Sequence, residues 1–108
     1  MNYKVEISSN FIKEAKKLSK KYNSLKLELK LLGESLSNNP TQGISLGNNV
    51  YKVRMTIASK AKGKSGGARI ITFVKVENEV VYLLSIYNKR TKDVITDKEI
   101  LTLLQDYL

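Results

Sequence analysis

One short stretch of the chain carries residue types that could bind and cleave a phosphodiester. Residues 59–70, SKAKGKSGGARI, hold three lysines, three glycines and one arginine, and no acid. Arginine stays charged and binds phosphate through two N–H groups, whereas a lysine crowded by other cations loses its proton more easily and can act as a base. The stretch is therefore either a solvated basic loop or part of a phosphate site.

The glycines of this stretch do not form a P-loop. The spacing GxxxxGK[ST] is absent, and a predicted strand rather than a helix follows the glycines. Backbone N–H groups of a glycine-rich loop can still cradle phosphate. We favour a structural role, in which Gly66 and Gly67 mark a bulge or a close backbone approach at the start of that strand.

Positive charge is segregated along the sequence. The 108 residues include 19 Lys and Arg against 10 Asp and Glu, with no histidine or cysteine, and the formal net charge is +9. No acid lies between Glu34 and Glu77. This balance favours a polyanionic partner, nucleic acid before a membrane surface, and excludes disulfides, thiolate chemistry, zinc sites and imidazole catalysis. The basic residues of that interval are Lys52, Arg54, Lys60, Lys62, Lys64, Arg69 and Lys75.

Two predicted strands flank the basic loop and position its neighbours. From Val50 onward, alternation places Lys52 and Arg54 on one face of a strand, and ARIITFVKV predicts the next strand. If these strands pair as antiparallel neighbours, Lys52 and Arg54 lie near Arg69 on one sheet face. Phe73 shares that face, where it could stack on an unpaired RNA base or belong to the core, and the sequence leaves both interpretations open.

The remaining segments predict an α+β fold in one domain, residues 1–108. A short strand precedes a helix that begins near Ser9, whose lysines we interpret as a solvated face. The stretch SLKLELKLLGESL fits strand and helix spacing, but its composition favours a second helix. VVYLLSIY predicts a third, central strand of a meander, and Thr96 with Glu99 predicts a capping box for a C-terminal helix. The expected order is β-α-α-β-β-β-α, with a mainly antiparallel four-stranded sheet.

No run of apolar residues is long enough to span a bilayer, so we expect a cytoplasmic protein.

These features together resemble a known family. The string YKVRMTIASKAKGKSGGARIITFV, followed by YLLSIYNK and a short terminal helix, resembles the RelE/HigB toxins of bacterial type II toxin-antitoxin systems, in particular the HigB-like branch. KGKSGGAR is the most specific part. The resemblance implies a compact RelE-like domain that enters the A site of the 70S ribosome and cleaves messenger RNA by attack of the 2′-OH on the adjacent phosphate. It implies no metal or cofactor, and a cognate antitoxin, which we expect to be a small helix-turn-helix protein.

The resemblance also implies roles for individual residues. Arg69 matches the arginine that follows the basic loop and would clamp the transition state, while Lys52 and Arg54 match the basic positions of the preceding strand. Tyr87 and Lys89, in IYNK, would serve as proton donor and phosphate ligand. The loop residues implied in RNA contact or proton transfer are Lys60, Lys62 and Lys64.

One departure from the family pattern bears on the proton donor. Relatives carry tyrosines at the positions of Thr72, Phe73 and Ile95, so that Tyr87 is the nearby candidate acid in this chain.

The sequence leaves two other functions open. A non-catalytic module would bind RNA in a salt-sensitive manner without cleaving it. A ParE-like relative would share the fold and poison gyrase, although the retained cations argue against that reading.

Overall fold

A five-stranded mixed sheet forms the centre of the molecule. The computed structural model describes residues 2–58, 67–89 and 94–108. Its strands follow the order β1-β5-β4-β3-β2, in which β1 and β5 are parallel and the other neighbours antiparallel. The elements are β1 (Lys4–Ile7), α1 (Ser9–Ser19), α2 (Leu25–Asn38), β2 (Ile44–Gly47), β3 (Val50–Met55), β4 (Ala68–Lys75), β5 (Val80–Asn88) and α3 (Asp97–Leu104). The predicted α+β class and the β3-β4-β5 meander are confirmed.

The sheet has five strands, one more than the sequence predicted. The extra strand, β2, is exposed along its whole length and forms a hairpin with β3 through Asn48 and Asn49, which both have positive φ. Asparagine tolerates this left-handed conformation, which tight hairpin turns require. Because β2 buries none of its side chains, it has no alternation of apolar and polar residues by which the sequence could reveal it.

β5 is an interior strand of the sheet, as its nearly continuous apolar sequence predicted. β5 lies between β1 and β4, and its near-continuous apolar sequence follows from burial on both faces. A short 3₁₀ turn, Val76–Asn78, joins β4 to β5.

Local sequence signals account for the helix ends. Ser8 caps α1, since its Oγ accepts a hydrogen bond from the Phe11 N–H at 3.0 Å. The predicted capping box of α3 is present, with Thr96 and Glu99 bonding each other reciprocally. The ambiguous leucine-rich stretch is helical, and α2 buries Leu25 and Leu36 completely. None of the helices in the described ranges is long and apolar enough to cross a membrane.

Helices cover both faces of the sheet. On one face, α1 packs through Phe11, α2 through Leu25 and Leu36, and the segment between them through Tyr22, over a core cluster that includes Ile70. On the other face, α3 packs through Ile100 and Leu104 over a second cluster, whose strand residues are Val50, Ile71, Phe73, Leu84 and Tyr87. α3 therefore shares its sheet face with the predicted functional residues of β3, β4 and β5.

Candidate functional site

The register of β3 and β4 brings the predicted strand cations together. Arg54 lies directly opposite Arg69, and Lys52 lies opposite Ile71, two residues further along the same face. Directly opposed residues of an antiparallel pair have Cα atoms about 4.5–5.5 Å apart. The sequence predicted that Lys52 and Arg54 lie near Arg69 if the strands pair in a suitable register, and the observed register meets that condition. We call this part of the sheet face the cationic end; its residues are Lys52, Arg54, Arg69, Tyr87 and Lys89.

Arg69 is buried, unlike its neighbour across the strands. Only 5% of its surface is exposed, and its guanidinium donates a hydrogen bond to the Ala68 carbonyl oxygen at 3.3 Å. Arg54 is exposed and Lys52 half-buried. Two like charges on opposed residues destabilise a sheet, and burying a charged group adds a desolvation cost. Arg69 is therefore held between neighbouring strands and is not part of a solvated surface.

Tyr87 reaches the cationic end because of a bulge in β5. Thr72 pairs with Leu83, but Ile71 pairs with Ser85, so Leu84 is an extra residue in β5. Strict alternation would put Tyr87 on the face opposite to Tyr82; the extra residue returns it to the face of Arg69, with which it pairs directly.

The backbone joins the ends of β4 and β5 beside the cationic end. The Lys89 N–H donates to the Gly67 carbonyl oxygen at 3.2 Å, and the Lys89 side chain is exposed. Gly67 has a φ of +68°, and a Cβ at this position would collide with the Met55 carbonyl oxygen. The predicted structural role is therefore confirmed for Gly67, which lets β4 begin in close approach to the end of β3.

Several predicted residues fall outside the described ranges. Gly66 and the loop lysines, Lys60, Lys62 and Lys64, lie between residues 58 and 67, so their predicted roles stay predictions. No group of three or more acidic residues that could hold a metal ion occurs in the parts of the chain that the structure describes.

Phe73 belongs to the core. It is only 6% exposed, packs in the cluster under α3 and stacks on Tyr82 with ring centroids 6.3 Å apart. A ring covered on this face has no surface for an RNA base, so of the two interpretations that the sequence left open, burial favours the core. We call Val50, Phe73, Tyr82 and Leu84 the apolar end of the face.

Sequence reasoning missed the polar side chains that support the site from α1, α2 and the segment between them. Asn88 donates to the Tyr22 hydroxyl at 3.1 Å, and Glu14 accepts hydrogen bonds from Ser85 and Ile86. Glu28 of α2 accepts from the Ala58 N–H at 2.7 Å, directly before the basic loop. An acid among the lysines of α1 was the available signal for Glu14, but its partners are more than 70 residues away.

Comparison with known proteins identifies the family. A family model described as the RelE toxin of the RelE / RelB toxin-antitoxin system matches residues 10–106. The chain belongs to the RelE toxin family. The resemblance drawn from KGKSGGAR and its flanking strands is therefore confirmed at the level of the family.

Solved structures of RelE proteins share the fold. A mutant of Escherichia coli toxin RelE in the free state superposes with a TM-score of 0.66 at 18% identity, over 100% of both chains. The same mutant in complex with a peptide of the antitoxin RelB gives 0.62 at 18% identity, again over 100% of both chains. The RelBE2 toxin-antitoxin complex of Mycobacterium tuberculosis gives 0.57 at 14% identity, over 82% of this chain and 92% of the other. At these identities the likeness establishes a RelE-like fold.

Proposed function

We propose that this RelE-family toxin is an endoribonuclease that cleaves messenger RNA in the A site of the 70S ribosome. The observation that carries the proposal is the opposition of Arg54 and Arg69, with Tyr87 opposite Arg69 on the next strand. Two guanidinium groups and a phenol therefore converge on one end of a sheet face. Membership of the RelE family supports the choice of a translated message as the substrate.

The proposed chemistry is attack of an RNA 2′-OH on the adjacent phosphate. A base takes the proton of the 2′-OH, the 2′ oxygen bonds to phosphorus, and the bond from phosphorus to the 5′ oxygen breaks. The products are a 2′,3′-cyclic phosphate and a 5′-hydroxyl end. The transition state carries more charge on the phosphate oxygens than the substrate does, so fixed cations stabilise it preferentially.

Each residue of the cationic end suits one part of this reaction. Arg69 is held between two neighbouring strands and has the fixed position that a transition-state clamp needs, while Arg54 is exposed to the incoming phosphate. Tyr87 is the phenol proposed to donate its proton to the departing 5′ oxygen; its hydroxyl is buried in the free protein, so the proposal requires that RNA binding expose it. Lys52, on the face of Arg54, is the described lysine placed to act as base, and the exposed Lys89 can bind a flanking phosphate.

The proposal includes a protein partner. Solved structures show E. coli RelE with a RelB peptide and the intact RelBE complex, so we propose a cognate antitoxin for this chain. An acidic antitoxin segment would be attracted by the net charge of +9. We expect a small helix-turn-helix protein encoded beside this toxin.

Cleavage by purified protein on programmed 70S ribosomes tests the proposal. Wild type is compared with Arg69→Ala and with Lys30→Ala, which removes a positive charge from an exposed position of α2. We expect codon-phased cuts from wild type and Lys30→Ala, and a rate about 10²- to 10³-fold lower for Arg69→Ala, because one fixed donor to the transition state is lost.

The outcomes separate the alternative functions. Salt-sensitive RNA binding by wild type with no cleavage on ribosomes would favour a non-catalytic binding module. DNA breaks in expressing cells, without cuts in messages, would favour a gyrase poison. An Arg69→Ala protein that cleaves as fast as Lys30→Ala would contradict the assigned site.

A further inference from the structure

The stretch of β5 that carries Tyr87 extends beyond its strand partner on one side. β1 pairs with β5 only from Lys4 opposite Val80 to Ile7 opposite Leu83, and the chain then turns into α1. β4 pairs along the other side of β5 as far as Asn88. The β1 side of residues 84–88 thus lacks a strand within the described ranges, at the point where the bulge at Leu84 interrupts the regular register.

Side chains of the first turns of α1 occupy the place of the missing strand. The Leu84 carbonyl oxygen accepts hydrogen bonds from Ser8 Oγ at 3.2 Å and from Asn10 Nδ2 at 3.0 Å. Glu14 Oε1 accepts from the Ile86 N–H at 3.1 Å and from the buried Ser85 Oγ at 2.7 Å. Backbone groups on both sides of the bulge are therefore bonded to one helix.

Glu14 is the centre of this network. Its Oε1 also accepts from Asn10 Nδ2 at 3.0 Å, so one carboxylate oxygen receives three donors, from α1 and from two consecutive residues of β5. Asn10 and Glu14 are four residues apart and lie on one helix face. Hydrogen bonds to an ionised acceptor are stronger than those between neutral groups. No other α1 side chain in the described structure bonds the backbone after the bulge.

The bulge determines which face Tyr87 occupies. Each residue of slippage in a strand moves the following side chains to the opposite face, so loss of the extra residue at Leu84 would turn Tyr87 away from Arg69. Glu14 holds Ser85 and Ile86, the two residues between the bulge and Tyr87.

We propose that Glu14 is a positioning residue for RNA cleavage, which fixes the β5 bulge and thereby holds Tyr87 opposite Arg69. This inference rests on the proposed function. Glu14 does not contact RNA in it; the carboxylate acts through the β5 backbone. The expected signature is loss of turnover with little change in substrate binding, because the cations that attract RNA lie on other residues.

Two substitutions of Glu14 separate the effect of side-chain length from the effect of charge. Glu14→Gln keeps an oxygen at the same distance and removes the charge, whereas Glu14→Asp keeps the charge and withdraws it by one methylene. We expect kcat on ribosomes within about fivefold of wild type for Gln, whose amide oxygen still accepts. For Asp we expect kcat to fall about 10- to 100-fold with KM nearly unchanged, since a displacement of about 1 Å at the reacting groups has that effect.

The same changes at Glu34, an exposed residue of α2, provide the control and should leave kcat and KM unchanged. Wild-type kcat for Glu14→Asp would overturn the inference. Equal decreases of kcat in Glu14→Gln and Glu14→Asp, in proportion to their decreases in thermal stability, would also overturn the inference. A purely structural role predicts that pattern.

If wild type does not cleave messages, the proposed function is wrong, but the structural role of Glu14 can still be tested by a second measurement. Hydrogen exchange at the Ile86 amide should accelerate in Glu14→Asp relative to Glu14→Gln. Nuclear Overhauser contacts between the Tyr87 ring and the side chains of the cluster under α3, to which it belongs, should weaken in the same variant. Unchanged exchange and unchanged contacts in Glu14→Asp would refute the positioning role whatever the activity.

Discussion

The two ends of one sheet face differ in what covers them and in what their side chains contribute. At the apolar end, Phe73 and its neighbours pack under Ile100 and Leu104 of α3. At the cationic end, Arg54 and Arg69 oppose each other across two strands, an arrangement that costs stability. The same strands therefore carry a part that stabilises the fold and, a few residues away, a pair of like charges to which we assign the proposed RNA cleavage.

The connection between the ends is rigid backbone. Phe73 and Arg69 are four residues apart on β4, which is about 13 Å along a strand. At that distance a substitution at Phe73 should have little direct effect on Arg69, whereas Tyr87 packs in the same cluster as Phe73 and is coupled to it.

Truncation at the apolar end should produce the largest change in stability. Phe73→Ala removes a buried ring from the cluster under α3 and should lower the free energy of unfolding by about 3–5 kcal/mol. Its cleavage rate, measured well below the unfolding transition, should fall far less than that of Arg69→Ala, because Arg69 lies about 13 Å away along β4. Urea denaturation with a ribosomal cleavage assay measures both.

Leu101→Ala on the exposed side of α3 is the control, with an expected stability change within about 0.5 kcal/mol. If Phe73→Ala stays fully stable but loses RNA affinity, the assignment of Phe73 to the core is wrong. Phe73→Leu gives a milder test should the alanine variant fail to fold.

A substitution where the backbone supports the cationic end should affect stability and activity together. Gly67→Ala places a Cβ against the Met55 carbonyl oxygen and demands a positive φ, so β4 must shift relative to β3. We expect a loss of about 1–3 kcal/mol of stability, typical of a strained backbone position, with reduced cleavage because Arg69 follows two residues later.

Gly33→Ala in α2 is the matched glycine, since no atom lies within 4 Å of its added Cβ. That variant should gain about 0.4–1 kcal/mol, because alanine restricts the unfolded chain. Equal effects of the two substitutions in thermal denaturation would show that the close approach at Gly67 is unimportant.

Several strands and helices were predictable from the sequence because they follow from short-range patterns. Alternation placed Lys52 and Arg54 on one strand face, and the spacing of Thr96 and Glu99 predicted the start of α3. The leucine-rich segment became a helix, as its composition favoured. These features depend on neighbours within a few residues, which a sequence displays directly.

What the sequence did not reveal depends on contacts between distant segments. The bulge at Leu84 has no glycine to mark it, and it is bonded by α1 residues more than 70 positions away. Neither the burial of Arg69 nor that of Phe73 can be read from alternation, which assigns both to a face without saying what covers it. The family resemblance pointed to Arg69, and the structure added how it is held.

The smallest expected effect is also the sharpest test of the difference between the ends. Arg54→Gln removes one of two opposed like charges, so we expect the protein to become more stable by about 0.2–1 kcal/mol. Cleavage should nevertheless fall at least about tenfold, because a cation facing the scissile phosphate is lost. A change that stabilises the protein while lowering its activity would show that the cationic end is kept for function.

Lys4→Gln is the control, because Lys4 lies on β1 beside Glu6, with an Nζ to Oε2 distance of 3.1 Å, and is largely exposed. There the substitution removes an attraction rather than a repulsion, so stability should stay the same or fall slightly, with unchanged cleavage.

The gain in stability from Arg54→Gln should also shrink as the salt concentration is raised, since screening weakens the repulsion already in wild type. A salt-independent gain would mean that Arg54→Gln acts through packing or strand propensity, and a loss of stability would mean that Arg69 and Arg54 support the fold together.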